Sequence, residues 1–280
     1  MTDTGTRKRT RRRFRNASHI VSAVLFTLLA AFILAGPLIW TTSPTDMDHA
    51  LILAPPSAEA PFGTDELGRD VLARVMYGGR TSLMIGVQVM LITAVLGTLL
   101  GLITGFSRRA DEIIMRVMDV FMAFPALLLA LAIVAALGNK PINVVIALSL
   151  VYTPRTARLL RGQVLSLMEH TYVEASEALG TRRWRTLLRE VLPGLVPALI
   201  VEETFLFAYA ILGEAGLSFV GVGIQPPLPS WGNILGDARV LIREASWMIL
   251  YPGAILSLTV LSLNLLGDGL HKALDPARKN

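Results

Sequence analysis

Leu83–Phe106 reads LMIGVQVMLITAVLGTLLGLITGF, and no residue in it carries a charge. As a helix rising 1.5 Å per residue it is about 36 Å long, enough to cross a hydrocarbon layer of about 30 Å. Moving outward along the chain, similar runs appear at His19–Trp40, at about Val117–Leu137, at Leu195–Leu217 and at Trp247–Gly267. A sixth, Pro141–Leu160, is charge-free only to Pro154, so Arg155 and Arg158 must snorkel toward the interface. The expectation is an all-α polytopic membrane protein with six transmembrane helices.

Composition agrees with that reading. Of 280 residues, 53% are hydrophobic and 17% charged, where a soluble domain carries about 25% charged. The charges are segregated rather than interspersed. Arg7, Lys8, Arg9, Arg11, Arg12, Arg13 and Arg15 stand directly before the first run, where an anionic lipid surface accounts for them better than nucleic acid does. No aromatic interleaving accompanies them, so no nucleic-acid partner is expected. The apolar run from Ile20 to Trp40 exceeds the core of a secretory signal, which predicts an uncleaved first span. With both termini in the cytoplasm, the outer side keeps only Arg69, Arg74, Arg80, Lys140, Arg239 and Arg243 of the 26 lysines and arginines. That asymmetry sets the orientation.

The segment Thr171–Pro193 reads TYVEASEALGTRRWRTLLREVLP. Thr171 followed by Glu174 makes a capping box, predicting a helix from Tyr172. Ala175, Ser176, Ala178 and Leu179 give it a small or apolar face, and Gly180 is a natural left-handed stop. Eight residues make a rod of about 12 Å. Thr181 can cap a second, arginine-rich helix ending at Pro193. Local physics leaves two readings open: a capped loop helix, or a rod that docks in a partner's groove.

Elsewhere, Gly97, Gly101 and Gly105 form a flat stripe suited to close helix packing. Pro125, Pro193, Pro197 and Pro252 free backbone groups that a neighbour must satisfy. Leu67, Val71, Leu72, Val75 and Met76 line one face of a short amphipathic helix closed by Gly78 and Gly79. The prolines at 226, 227 and 229 preclude a regular helix there, and Trp231 suits a headgroup interface.

The 171–193 segment resembles the EAA loop of permease subunits of binding-protein-dependent ABC importers, through Glu174, Ala175, Gly180, Leu192 and Pro193. Ser176 stands in for the second alanine, and Glu190 departs from the family's apolar preference. Three further stretches resemble the dipeptide, oligopeptide and nickel-type branch. They are FGTDELGRDVLARVMYGGRTS at Phe62–Ser82, ILGEAGLSFVGVGIQPPLPSWGNILGD at Ile211–Asp237, and NLLGDGL at Asn264–Leu270 followed by Leu274-Asp275-Pro276.

The resemblance implies a type I ABC importer permease-like fold and a multi-pass place in the inner membrane. It divides the chain into a basic cytoplasmic tail (1–18), a first transmembrane helix (19–40) and an external loop with an amphipathic helix (41–82). A permease core (83–270) follows, with a coupling loop at 161–193 and an external loop at 218–246, and then a cytoplasmic tail (271–280). It further implies that Thr171, Glu174, Ala175, Ser176, Ala178, Leu179, Gly180 and Pro193 couple the chain to an ATPase. The implied partners are a second homologous permease, two ABC ATPase subunits and an external solute-binding protein. The substrate class it implies is a di- or oligopeptide, nickel or another small solute.

Candidates for the translocation path or gate are Asp119, Glu202, Glu203, Glu214, Ser218 and Phe219. Ionisable groups inside a bilayer are costly and default to a functional hypothesis. Asp119 and Glu214 match positions the family commonly fills, whereas Glu202 and Glu203 do not. Either one of these faces the path and attracts a cationic group, or both pair with arginine or reach water; the second is the simpler reading.

No chemistry of its own is visible. The lysines Lys8, Lys140, Lys272 and Lys279 are followed by Arg, Pro, Ala and Asn, so none completes a phosphate-cradling loop. The chain is therefore expected not to be an enzyme and to bind no cofactor, with ATP and Mg²⁺ held by the partner ATPases. Cysteine is absent, and His19, His49, His170 and His271 are too scattered to hold a metal. Two other functions stay open: an ion-coupled secondary transporter working through Glu202, Glu203 or Asp119, and a membrane scaffold without transport.

Overall fold

The computed structural model describes the backbone of residues 4–274 and the side chains of 20–274 other than 174 and 177. The basic side chains of the N-terminal tail, the Glu174 carboxylate and residues 275–280 lie outside the described residues. The elements are α1 (Thr4–Ile39), α2 (Val71–Phe106), α3 (Arg108–Met122), α4 (Ala126–Leu137) and α5 (Pro141–Met168). After them come α6 (Thr171–Ala178), α7 (Arg183–Thr186), a π-helical turn (Leu187–Val191), α8 (Leu192–Phe219), α9 (Trp231–Ala238) and α10 (Trp247–Leu274). The chain is all-helical among the described residues, the form in which a chain in lipid satisfies its own backbone.

Four stretches are long and apolar enough to cross a bilayer: Ile20–Ile39, Val71–Phe106, Arg183–Phe219 and Trp247–Leu274. The pair α3 and α4, which meet at 91°, passes the same test only when taken together, as a broken span or a re-entrant loop. The third span expected at about Val117–Leu137 is thus not one continuous helix. Pro125 caps α4 without an N–H to donate, and it bars Phe124 from helical geometry. The 28-residue α5 is interrupted by Arg155, Arg158 and Arg161 and falls short of the others in apolarity.

The short amphipathic helix closed by Gly78 and Gly79 is also corrected. Residues 71–82 are the first turns of α2, and the helix runs through both glycines without a break. Val71, Leu72, Val75 and Met76 are buried rather than interfacial. A Cβ on Gly79 would lie 2.8 Å from the Trp231 ring and 2.9 Å from Ile33, and one on Gly78 would lie 3.1 Å from the Ser230 backbone. The glycines serve close approach here, not termination.

Trp231 does not lie at a headgroup interface. It is fully buried, and its indole N–H donates to the Val75 carbonyl at 3.0 Å. It opens α9, a helix inside the loop predicted to have none, which starts after the prolines with Ser230 and Asn233 forming a reciprocal cap.

The bundle has two unlike ends. At the capped end, residues 44–70 and 220–246 fold over α2, α8 and α10. Asp65 is fully buried there and holds Arg69 at 2.7 Å as well as Arg74, which also reaches Asp237 at 3.3 Å. Trp247 donates to Thr64 O at 3.1 Å, and Phe62 stacks on Tyr251 with ring centres 4.2 Å apart. At the loop end lie α3, α6, α7 and the π-turn.

Between the ends, α8 runs through the middle of the core, packed by α2, α5, α9 and α10. The glycine stripe of α2 faces α5. Cβ atoms on Gly97 and Gly101 would sit 2.5 Å from Thr156 and 2.8 Å from Leu160, and Gly105 meets Val164 in the same way. Below this, Leu102, Leu160, Val164, Val191 and Leu195 close the core at the loop end.

Candidate functional site

The segment after α5 turns sharply at Glu169 and His170 and enters α6, one residue earlier than capping by Thr171 predicts. The helix ends as Gly180 requires. Gly180 has φ +88°, Leu179 N–H donates to Ala175 O at 3.1 Å, and Thr181 N–H reaches back to Ser176 O at 3.1 Å. The second bond is the 6→1 closure of a helix stopped by a left-handed residue.

The faces of α6 differ. Val173 is buried, and Ser176 Oγ donates to Glu190 Oε1 at 2.7 Å, tying the helix to the π-turn. Glu190, which breaks the apolar expectation, thereby has a role. Tyr172, Ala175, Ala178 and Leu179 point away from the bundle, Leu179 with 88% exposure. Thr171 is also exposed.

The arginine-rich helix ending at Pro193 is overturned. It is a single turn, α7, preceded by Arg182 rather than capped by Thr181, and it passes through the π-turn into α8. Leu192 N–H bonds Leu187 O, five residues back, and Pro193 follows in the first turn of α8. Wider i→i+5 winding relieves the clash a proline ring makes with the preceding turn, so the helix continues.

The predicted path residues fall into three separate groups. Glu202 on α8 is buried and ion-pairs with Arg155 on α5, Oε1 to Nε 2.7 Å. The Arg155 guanidinium also lies over the Tyr209 ring, 5.0 Å from its centre. Glu203 faces the other way and accepts hydrogen bonds from Thr93 at 3.0 Å and Thr156 at 3.3 Å. The second group is on α3, where Asp119 pairs with Arg158 and Asp111 with Arg161, the latter through a second contact at 2.6 Å. Arg155 and Arg158 each have a carboxylate partner within the chain and remain half-exposed.

The third group is sealed. Glu214 is fully buried in α8, with Ser82 Oγ donating to Oε2 at 2.6 Å and Ser218 Oγ to Oε1 at 2.7 Å. Ser218 accepts from Ile224 N–H at 2.9 Å, which ties the start of the capped-end loop to α8. Ser218 and Phe219 belong to α8, not to that loop, and Phe219 is part-exposed beneath Arg239. Groups of His, Cys, Asp and Glu that could hold a metal do not occur among the described residues.

Residues 97–280 match the family model for the binding-protein-dependent transport system inner membrane component. The chain belongs to that family. It is a permease component of an ABC importer, a multi-pass protein of the inner membrane.

This permease is 45% identical over 268 residues to a di/tripeptide transport system permease protein of Pseudomonas aeruginosa, covering 93% of this chain and 88% of that one. It is 42% identical over 269 residues to a putative peptide transport system permease protein of Brucella abortus, with 96% and 91% covered. It is 40% identical over 272 residues to a glutathione transport system permease protein of Pectobacterium atrosepticum, with 96% and 90% covered. Among solved structures, the inward-facing MetNI methionine ABC transporter matches with TM-score 0.58 and 19% identity, over 71% of this chain and 94% of that one. At that identity the likeness bears on the fold.

Sequence reasoning named the acidic residues of the permease and, as the simpler reading for Glu202, an arginine partner, which Arg155 supplies; it did not say which arginine. Arginines inside a span were a usable signal: a cation that cannot reach water needs a carboxylate, and Glu202 was available. Ser82 carried no comparable signal, because a small hydroxyl sits in a span at little cost.

Proposed function

We propose that this permease forms half of the translocation pore of an ABC importer for peptides or a similar small solute. The observation that carries the reading is the outer face of α6. An eight-residue helix, stopped by Gly180 and anchored by Val173 and Ser176, holds Tyr172, Ala175 and Leu179 away from its own bundle. Apolar side chains held outward on a short rod suit a groove on another protein. The relatives' names supply the solute class.

On this reading the chain crosses the membrane six times. α3 and α4 count as one bent span, and α5 crosses because its arginines are paired. The lysine and arginine distribution puts both termini and α6 in the cytoplasm and the capped end outside. Thr171, Glu174, Ala175, Ser176, Ala178, Leu179, Gly180 and Pro193 form the coupling segment. A second homologous permease completes the pore, an external solute-binding protein delivers the solute, and two ATPase subunits hold ATP and Mg²⁺. Closure of the ATPases displaces α6 and shifts the pore between inward- and outward-facing populations, provided they bind the two states unequally. Asp119, Glu202, Glu203, Glu214, Ser218 and Phe219 are the path and gate candidates.

Purification from membranes in mild detergent tests the assembly. A second permease and ATPase subunits should co-purify, and a thiol cross-linker at Ala175→Cys should capture an ATPase. A lone chain that transports in liposomes would instead indicate a secondary carrier. A chain with neither partners nor transport would indicate a scaffold.

A further inference from the structure

The geometry points to a carboxylate-binding site at Arg155 on the face of this permease that lines the translocation path, taking the free carboxylate of a passing peptide or similar zwitterionic solute. The inference rests on the peptide-importer reading and adds a recognition step within the membrane.

Arg155 lies near the middle of the 28-residue α5, and Glu202 near the middle of the 28-residue α8. On the six-span reading both lie within the membrane, Arg155 toward the cytoplasmic end of the Pro141–Leu160 run. Glu202 is buried, yet the Arg155 side chain is 48% exposed. A half-exposed guanidinium at that depth cannot face hydrocarbon without a large penalty. The surface it occupies must meet water or protein. The same surface continues toward the loop end through Arg158 and Asp119, whose side chains are 46% and 61% exposed. Ion pairs this open, in succession along α5, form a polar strip that the rest of the chain leaves uncovered.

The chemistry at Arg155 selects for a carboxylate. Guanidinium carries five N–H donors in a planar fork matched to carboxylate oxygens; Glu202 Oε1 lies 2.7 Å from Nε, yet this buried oxygen makes no well-aligned hydrogen bond. The Tyr209 ring lies against the guanidinium, 5.0 Å from centroid to Cζ, and limits its reorientation. Glu202 keeps the resting site neutral. An incoming carboxylate that takes the fork frees Glu202 to meet the solute's ammonium group, so a zwitterion replaces one ion pair with two. No bond is made or broken, and the charge stays balanced throughout.

The absence of cysteine from the chain makes the test direct. In the reconstituted importer, with partner chains stripped of accessible thiols, Arg155→Cys is the only thiol of this subunit. A charged, water-soluble methanethiosulfonate should label it, and saturating peptide should slow the labelling several-fold. Failure to label places the position against lipid or the second permease and overturns the proposal. In parallel, uptake of a dipeptide and of its C-terminal amide is measured with one and the same binding protein, whose own preference cancels between permease variants. Arg155→Gln should lower the acid-to-amide uptake ratio about tenfold, and Arg155→Lys should restore part of it. An unchanged ratio in a variant that still assembles with its partners overturns the site. If the wild-type complex carries no peptide at all, the reading of function fails, and the labelling rate alone decides whether position 155 faces water.

Discussion

The capped end and the loop end handle polar groups in opposite ways. At the capped end the Asp65 carboxylate is buried and satisfied within the chain: it accepts from Leu67 N–H and Arg69 N–H, both at 2.9 Å, besides its two arginines. Asp70 caps α2 and accepts from the Trp40 indole at 3.2 Å; burial still raises its carboxyl above the ordinary range. At the loop end, α6 leaves Leu179 and Tyr172 in the open and is tied down mainly by Val173 and one serine. One end is completed by its own residues. The other leaves apolar side chains of α6 uncovered by the rest of the chain.

That contrast can be broken by substitution. The largest effect is expected from Asp65→Ala, which leaves the buried guanidinium of Arg74 short of its main partner. Breaking a buried pair from one side costs about 3–5 kcal/mol, so the detergent-solubilised protein should melt markedly lower or fail to accumulate. Next is Gly101→Leu between the ends, where the added side chain meets Leu160 and the Arg161 backbone. Overpacking of this kind costs about 1–3 kcal/mol, again read by thermal melting.

Gly180→Ala at the loop end is expected to cost about 1 kcal/mol, because a Cβ there meets no atom within 4 Å and only the left-handed backbone is strained. Leu179→Ser should change stability by less than about 0.5 kcal/mol, as an exposed position does. It should nonetheless weaken ATPase co-purification several-fold. A Leu179→Ser protein that melts early would erase the contrast, whereas one that is stable and uncoupled would sharpen it.

The parts of this architecture that were legible in the sequence are those set by local chemistry. Long apolar runs announce spans because length and the lack of charge are enough. Gly180 announces a stop because few residues other than glycine accept φ near +88°. The Gly97, Gly101 and Gly105 stripe announces close packing, and it meets α5. The same rules misled where one residue type serves two ends. Gly78 and Gly79 read as a terminator but make room for Trp231 and Ser230. Trp231 reads as an interfacial ring because its chemistry suits one, yet the fold offers it the Val75 carbonyl instead. The pairs Arg155 with Glu202 and Ser82 with Glu214 join residues far apart in the chain, and no local pattern encodes such a meeting. Pro193 misled because a π-turn, invisible in composition, lets a helix run on past it.

The stripe of α2 has a consequence for motion. The glycine backbone of α2 lies directly against Thr156, Leu160 and Val164 of α5 at successive turns, and such a contact can neither compress nor slide without breaking several close fits together. The two helices form one stiff lever. If α6 is the coupling helix, a push delivered near Met168, where α5 meets α6, would be carried along that lever toward Val71 beneath the capped end.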